Sequence, residues 1–290
     1  MTKFKDHKAN YHTHIWLCRH ASGRVVDYVK EAIKHNFNIL GISDHAPFHV
    51  LDPYSQYRMT LDEFYNIYLH ELDEGVNYGK KHGLTVYRGL EMEYFEGYDE
   101  HFHDLLAHLD YLILGQHYIP IKDRLVSVYA LKTLDDIKIY ANQVIKGLRS
   151  GYFSMLCHPD VCFWGIKNPT DEMYEALRPV IKECVKLNIP IEINANGIRR
   201  VELEEGLSAR DYNSYKYPRP KFWQMVAEEG ATAIVESDAH DPKVLNDFAI
   251  EIGYEFAKDM GVKVITELEF KENIYKKRWV LRLIFYFFKN

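Results

Sequence analysis

Apolar positions recur along the chain with two alternating periods. Val25, Val26, Val29, Ala32 and Ile33 repeat at helical spacing, so residues 23–35 predict an amphipathic helix. After the turn Asn36-Phe37-Asn38 comes the short apolar run Ile39-Leu40-Gly41-Ile42-Ser43, which reads as a buried strand. The alternation continues. Residues 61–82 predict a long helix opened by Thr60, with Glu63 three residues on as a capping box. A strand is expected at 84–90, a short helix at 101–109, a strand at 111–115 and a helix at 134–150. A strand at 153–157, a helix at 170–187, a strand at 189–194, a helix at 220–229 and a strand at 231–235 follow. That makes about seven β/α units, with no Ser/Gly-rich or Pro-rich linker between them. The reading is an α/β protein with one domain spanning 1–290. A closed barrel is its simplest packing, and a doubly wound open sheet is the competing one.

Polar residues at the strand ends favour the barrel. The first segment carries His12 and His14, and residues two apart in a strand share a face. His20 follows after a short loop. Later strands deliver Asp44-His45, Glu91-Met92-Glu93, Gln116-His117, His158-Pro159-Asp160 and Asp238-Ala239-His240. Only a closed ring brings all those ends together. The candidate metal ligands are His12, His14, His20, His45, Glu91, His117, His158, Asp238 and His240. Nine ligands exceed the three or four of one site, so two or three divalent ions (zinc, manganese or iron) are expected, with a carboxylate bridging some of them.

The motifs His12-x-His14, Ser43-Asp44-His45, Gly89-Leu90-Glu91, His117, Cys157-His158-Pro159-Asp160 and Ser237-Asp238-Ala239-His240 resemble those of the polymerase-and-histidinol-phosphatase (PHP) superfamily. The resemblance implies a distorted (β/α)7 barrel with three metals at the C-terminal ends of the strands. It implies His12, His14, Glu91 and Asp238 on the first metal. Glu91, His117 and His158 would hold the second, and His20, His45 and His240 the third. Leu17-Cys18-Arg19-His20-Ala21-Ser22-Gly23, Asp44-His45-Ala46-Pro47-Phe48 and Ile191-Glu192-Ile193-Asn194 are similar to the histidinol-phosphate phosphatase branch. Val161-Cys162-Phe163-Trp164-Gly165 is less typical of it.

The implied activity is hydrolysis of L-histidinol phosphate in histidine biosynthesis, with Glu91, Asp238 and His240 as candidate catalytic residues. Clustered divalent ions bring a bridging water to hydroxide near neutral pH. Arg199 and Arg200 follow a strand end and are candidate phosphate clamps, with Arg199 preferred as the nearer. The alternatives are a PHP-type phosphatase or phosphodiesterase for another small ester, and a metal-binding protein without catalysis.

Composition changes this picture little. Hydrophobic residues make up 47% and charged residues 27%, as in an ordinary soluble protein. A net charge of -6 gives no reason to expect a nucleic-acid partner. Met1-Thr2-Lys3-Phe4-Lys5-Asp6 lacks a signal-peptide core, and no apolar run is long enough to cross a bilayer. Cys18, Cys157, Cys162 and Cys184 show no zinc-finger spacing and read as reduced thiols of a cytoplasmic protein. Of the remaining histidines, His49 and His103 are the ones expected to matter. The basic, then apolar, tail at about 276–290 is expected to dock on the barrel.

Overall fold

The computed structural model describes residues 7–201 and 208–270, the side chains of 52–55 excepted. The tail at 276–290 lies outside the described residues. The strands are β1 (Ala9–Asn10), β2 (Ile39–Ile42), β3 (Thr85–Met92), β4 (Tyr111–Leu114), β5 (Tyr118–Ile121), β6 (Arg124–Ser127), β7 (Phe153–Leu156), β8 (Ile191–Asn194), β9 (Thr232–Glu236) and β10 (Lys263–Ile265). Eight of them form one sheet in the order β1-β2-β3-β4-β7-β8-β9-β10. Every pair in it is parallel. An isolated parallel bridge, Thr13–Ala239, joins the chain beyond β1 to the chain beyond β9, and the His14 amide donates to the Ala239 carbonyl at 2.9 Å. The sheet therefore curls into a distorted β/α barrel whose C-terminal strand ends meet.

Strand alternation sorts the core into two layers. Leu112, Leu114, Leu156, Ala233 and Val235 pack with the surrounding helices. Their neighbours Tyr111, Ile113, Met155, Cys157 and Ile234 join Tyr11 in a separate cluster inside the curl. Tyr111 fills much of that space. A Cβ on Gly41 or Gly89 would run into its ring, and its hydroxyl donates to the Tyr11 carbonyl at 2.6 Å. Phe270 stacks on Tyr111 with ring centroids 5.0 Å apart, and the Leu268 amide donates to the Tyr11 hydroxyl at 3.2 Å. Towards the other end the inward positions turn acidic: Glu91 on β3, Glu192 on β8 and Glu236 on β9 are all buried.

Most expected elements are present within a residue or two. The long helix is interrupted by a π-helical segment, Phe64–Tyr68, before Leu69–Lys81. The helix expected at 170–187 is two, Asp171–Glu175 and Arg178–Leu187, because Pro179 offers no amide to continue the first. The sequence reading passed over the antiparallel β5–β6 hairpin, the helix Ala195–Val201, the helix Phe248–Met260 and β10. Among the described residues no helix is long and apolar enough to cross a membrane.

Candidate metal centre

Glu91 sits at the centre of a ring of imidazoles. It lies at the end of β3 on the inner face, set by the alternation Tyr87, Gly89, Glu91. Its Oε1 is 2.9 Å from His158 Nε2 and 3.5 Å from His117 Nε2. Its Oε2 is 3.0 Å from His45 Nδ1 and 3.5 Å from both His12 Nε2 and His14 Nε2. The two oxygens thus face two different groups of nitrogens. Asp238 Oδ1 is 3.1 Å from His14 Nε2 and 3.5 Å from His12 Nε2. His12 Nε2 and His14 Nε2 are 3.0 Å apart, as two neighbours on one face should be. His20, His45 and His240 form a third group, with one nitrogen from each within 4.8 Å of the others. The structure therefore brings all nine residues singled out in the sequence into one connected cluster.

The far sides of the imidazoles explain why their free nitrogens point inwards. His12 Nδ1 lies 2.6 Å from Glu192 Oε1, His14 Nδ1 3.3 Å from Asp44 Oδ1, and His117 Nδ1 3.2 Å from Glu93 Oε1. His20 Nδ1 lies 2.7 Å from the Cys18 carbonyl, and His240 Nδ1 3.1 Å from the Asp238 carbonyl. An acceptor at Nδ1 selects the tautomer that leaves Nε2 as a lone pair towards the hollow. The supports are themselves anchored. Glu192 Oε2 accepts from the His158 amide at 2.9 Å and from Asn194 at 3.0 Å. Glu93 is clamped by the two guanidinium arms of buried Arg58, at 3.0 and 3.1 Å. Asp238 Oδ2 accepts from Asn194 at 3.0 Å and Asn196 at 3.2 Å, which turns Oδ1 to the imidazoles.

Two backbone positions carry strain for this arrangement. His158 has φ 27° and Asp238 has φ 45°, in the left-handed region that non-glycine residues seldom occupy. Both follow a strand and aim a side chain across the barrel mouth.

The donor set fits divalent transition ions. Glu91 Oε2 and Asp238 Oδ1 are buried and accept no aligned hydrogen bond, although imidazoles surround them. Buried carboxylate oxygens without donors are costly unless a cation lies against them. Mixed imidazole and carboxylate donors are those that zinc, manganese and iron accept. Burial pushes the Glu91 carboxyl up, but His117, His12 and His45 outweigh it and hold it well below the usual carboxylate range. Asp238 shows the same balance, with His12 and His14 opposing burial.

The cluster opens into a cavity of about 390 Å³ whose outer wall includes Tyr57, Tyr118, Tyr129, Tyr217 and Arg200. Arg199, preferred from the sequence, and Arg200 lie in different surroundings here. Arg199 turns away and is held by Asp247, at 2.6 Å from Nε and 3.2 Å from Nη2, and it also donates to the Val244 carbonyl. Arg200 is exposed and lines the cavity. The helix Ala195–Val201 explains this, because a turn of helix points consecutive residues in different directions. His49 and His103 do not line the cavity: His49 packs on Tyr98 and His101, and His103 lies 3.0 Å from the Tyr152 hydroxyl. Asp44, Glu93, Glu192, Asn194 and Asn196 were given no role from sequence. Period-two alternation would have flagged Glu93 beside Glu91 and Asn194 beside Glu192.

The chain belongs to the PHP domain family, which it matches over residues 10–196. It is 26% identical over 271 residues to a probable histidinol-phosphatase of Deinococcus radiodurans, covering 88% of this chain and 94% of that one. A crystal structure of histidinol phosphate phosphatase from Lactococcus lactis, complexed with zinc, L-histidinol and phosphate, has the same fold at TM-score 0.65. It is 17% identical and covers 91% of this chain and 99% of that one. A putative histidinol phosphatase of Listeria monocytogenes matches at TM-score 0.62 and 18% identity, covering 82% of this chain and 97% of that one.

Proposed function

We propose that the chain is a metal-dependent phosphomonoesterase that hydrolyses L-histidinol phosphate to L-histidinol and phosphate. The observation that carries the reading is the pair of buried acceptors, Glu91 Oε2 and Asp238 Oδ1, facing a ring of imidazole nitrogens at the floor of an open cavity. The name of the Deinococcus relative and the ligands of the Lactococcus structure support the choice of substrate.

In this reading His12, His14, Glu91 and Asp238 hold one ion, Glu91, His117 and His158 a second, and His20, His45 and His240 a third. Divalent ions bound there supply an activated water near neutral pH and offset negative charge on the phosphoryl group. The chain's own residues do the rest. Glu91 fixes the spacing of two groups of nitrogens, because each of its oxygens faces one of them. Burial, and then His14, hold His240 at a pKa of about 3, so its ring stays neutral and offers a lone pair. Arg200 faces the mouth, where a guanidinium can fork onto two phosphoryl oxygens. Tyr57, Tyr118, Tyr129 and Tyr217 wall off solvent around the organic part.

The reading is tested by phosphate release from a panel of phosphomonoesters, L-histidinol phosphate among them, using metal-loaded protein. Release from none of them would overturn it. Arg200→Ala is expected to lower kcat/KM roughly thirtyfold, through loss of a charge-assisted contact of about 2 kcal/mol. Arg199→Ala should leave kcat/KM within about threefold and act on melting temperature instead, since its partner is Asp247. The reverse order in steady-state assays would restore Arg199 as the clamp.

Gly115→Ala probes the second group. A Cβ at Gly115 would meet the Glu91 carboxyl carbon at 2.5 Å and its Cγ at 2.7 Å. The carboxylate must move away from His117 and His158. We expect a folded protein with less bound metal and kcat/KM lowered on the order of a hundredfold; destabilisation from overpacking stays at about 1–3 kcal/mol. Full metal content with normal turnover would show that Glu91 tolerates displacement.

A further inference from the structure

The rim of the cavity carries an arrangement that phosphate hydrolysis does not by itself explain. The Arg200 guanidinium lies over the Trp164 indole, 5.4 Å from its centroid. The Lys216 ammonium lies 4.5 Å from the same centroid. Among the described residues no carboxylate pairs with Arg200, and the cation rests on the indole face instead. The indole is itself held. The backbone amide of Trp164 donates to the Val161 carbonyl at 2.8 Å, closing the 3-10 turn Pro159–Phe163 that starts at His158. Its ring packs edge-on to Tyr129 at 5.5 Å and tilted against Tyr217 at 6.0 Å, and both tyrosines line the cavity. Lys132 Nζ ties down the next residue by donating to the Gly165 carbonyl at 2.6 Å.

We propose that Trp164 is a positioning residue that presents the Arg200 guanidinium to the phosphoryl group of the substrate. An exposed arginine samples many rotamers, and most of them point its charge into solvent. A fixed aromatic face attracts the cation and narrows that set without neutralising it, as a carboxylate partner would. The full charge stays available to the phosphate. The device also couples two segments: Trp164 follows His158 on the chain after β7, and Arg200 lies in the helix that follows β8. The inference rests on the phosphomonoesterase reading and deepens it by naming what orients the anion-binding side chain.

The test uses the full-length, metal-loaded protein and inorganic phosphate as the probe, with the dissociation constant measured by calorimetry and metal content checked in each variant. Arg200→Ala is expected to weaken phosphate binding roughly thirtyfold. Trp164→Leu keeps an apolar side chain but removes the π face, and should weaken binding roughly fivefold. Trp164→Phe keeps an aromatic face and should stay within about twofold of wild type. The double variant Arg200→Ala/Trp164→Leu should bind no more weakly than Arg200→Ala alone, because the indole acts only through the guanidinium.

Equal binding by Trp164→Leu and Trp164→Phe would overturn the proposal. So would additive losses in the double variant, or metal loss in Trp164→Leu, which would assign the indole to support of the His158 loop. Lys216→Ala should cost less than about threefold; a loss matching Arg200→Ala would mean that the ring serves Lys216 instead. Wild-type protein that neither cleaves a monoester nor binds phosphate would remove the parent reading. Wild-type binding with no response at Trp164 would remove this inference alone.

Discussion

Chelation of the divalent ions should abolish turnover and lower the melting temperature on the order of 10 °C. Ligand binding stabilises by about 4 kcal/mol at a thousandfold excess over Kd, and each kcal/mol moves the midpoint of a domain of this size by about 2–4 °C. The structure explains where the instability comes from. Asp44, Glu91, Glu93, Glu192, Glu236 and Asp238 are all buried around the imidazoles. Without cations, protons must balance that charge. Burial lowers the His14 pKa, but Asp238 and Asp44 outweigh it and raise it from 6.5 to about 9. A raised folded-state pKa stabilises fully below the unfolded value, and the contribution is lost as pH climbs through the folded one. The stripped protein should therefore lose melting temperature between pH 6.5 and 9, the window set by the His14 shift. Metal-loaded protein should change little across that window, because the ions replace the protons. Thermal melts with and without chelator at the two pH limits check this. Coincident curves under all four conditions would mean that no ion stabilises the barrel.

The barrel and the cluster were legible in the sequence for different reasons. The strands show because a parallel sheet buries both faces, so runs such as Tyr111-Leu112-Ile113-Leu114 are continuously apolar. The cluster shows because its residue types are rare at strand ends unless something uses them. The helix Phe248–Met260 was equally readable: Ala249, Ile250, Ile252, Gly253, Phe256 and Ala257 are its buried positions, at helical spacing. The Arg199 and Arg200 choice was different in kind. It turned on helical geometry in 195–201 and on Asp247, a partner 48 residues away that no local pattern reveals. The contacts of Trp164 with Tyr129, Arg200 and Lys216 bring four separate segments together, and no spacing along the chain encodes that.

Replacement of Glu91 should be more damaging than loss of any imidazole at the edge of the cluster. Glu91→Gln is the sharper variant, because it keeps the volume while exchanging one oxygen for an amide nitrogen that cannot act as a ligand. The carboxylate reaches His12, His14 and His45 with one oxygen and His117 and His158 with the other. It thereby touches five of the cluster's imidazoles, drawn from all but the outermost pair, His20 and His240. Removing its charge also leaves those buried imidazoles facing an uncharged group, which weakens two of the three proposed ion positions at once. His20 stands at the opposite extreme. It is exposed, sits on a loop, and is oriented through one bond to the Cys18 carbonyl. Its replacement by alanine should release the third ion and leave the other two groups intact. We expect Glu91→Gln to lower kcat/KM by roughly a thousandfold or more, about 4 kcal/mol of transition-state stabilisation. His20→Ala should keep a measurable rate that recovers in part when metal is added in excess. Steady-state kinetics on the monoester that the wild-type protein cleaves best, with elemental analysis of each variant, separates the two. Similar residual rates at equal metal content would show that Glu91 does not set the spacing of the two groups it bridges.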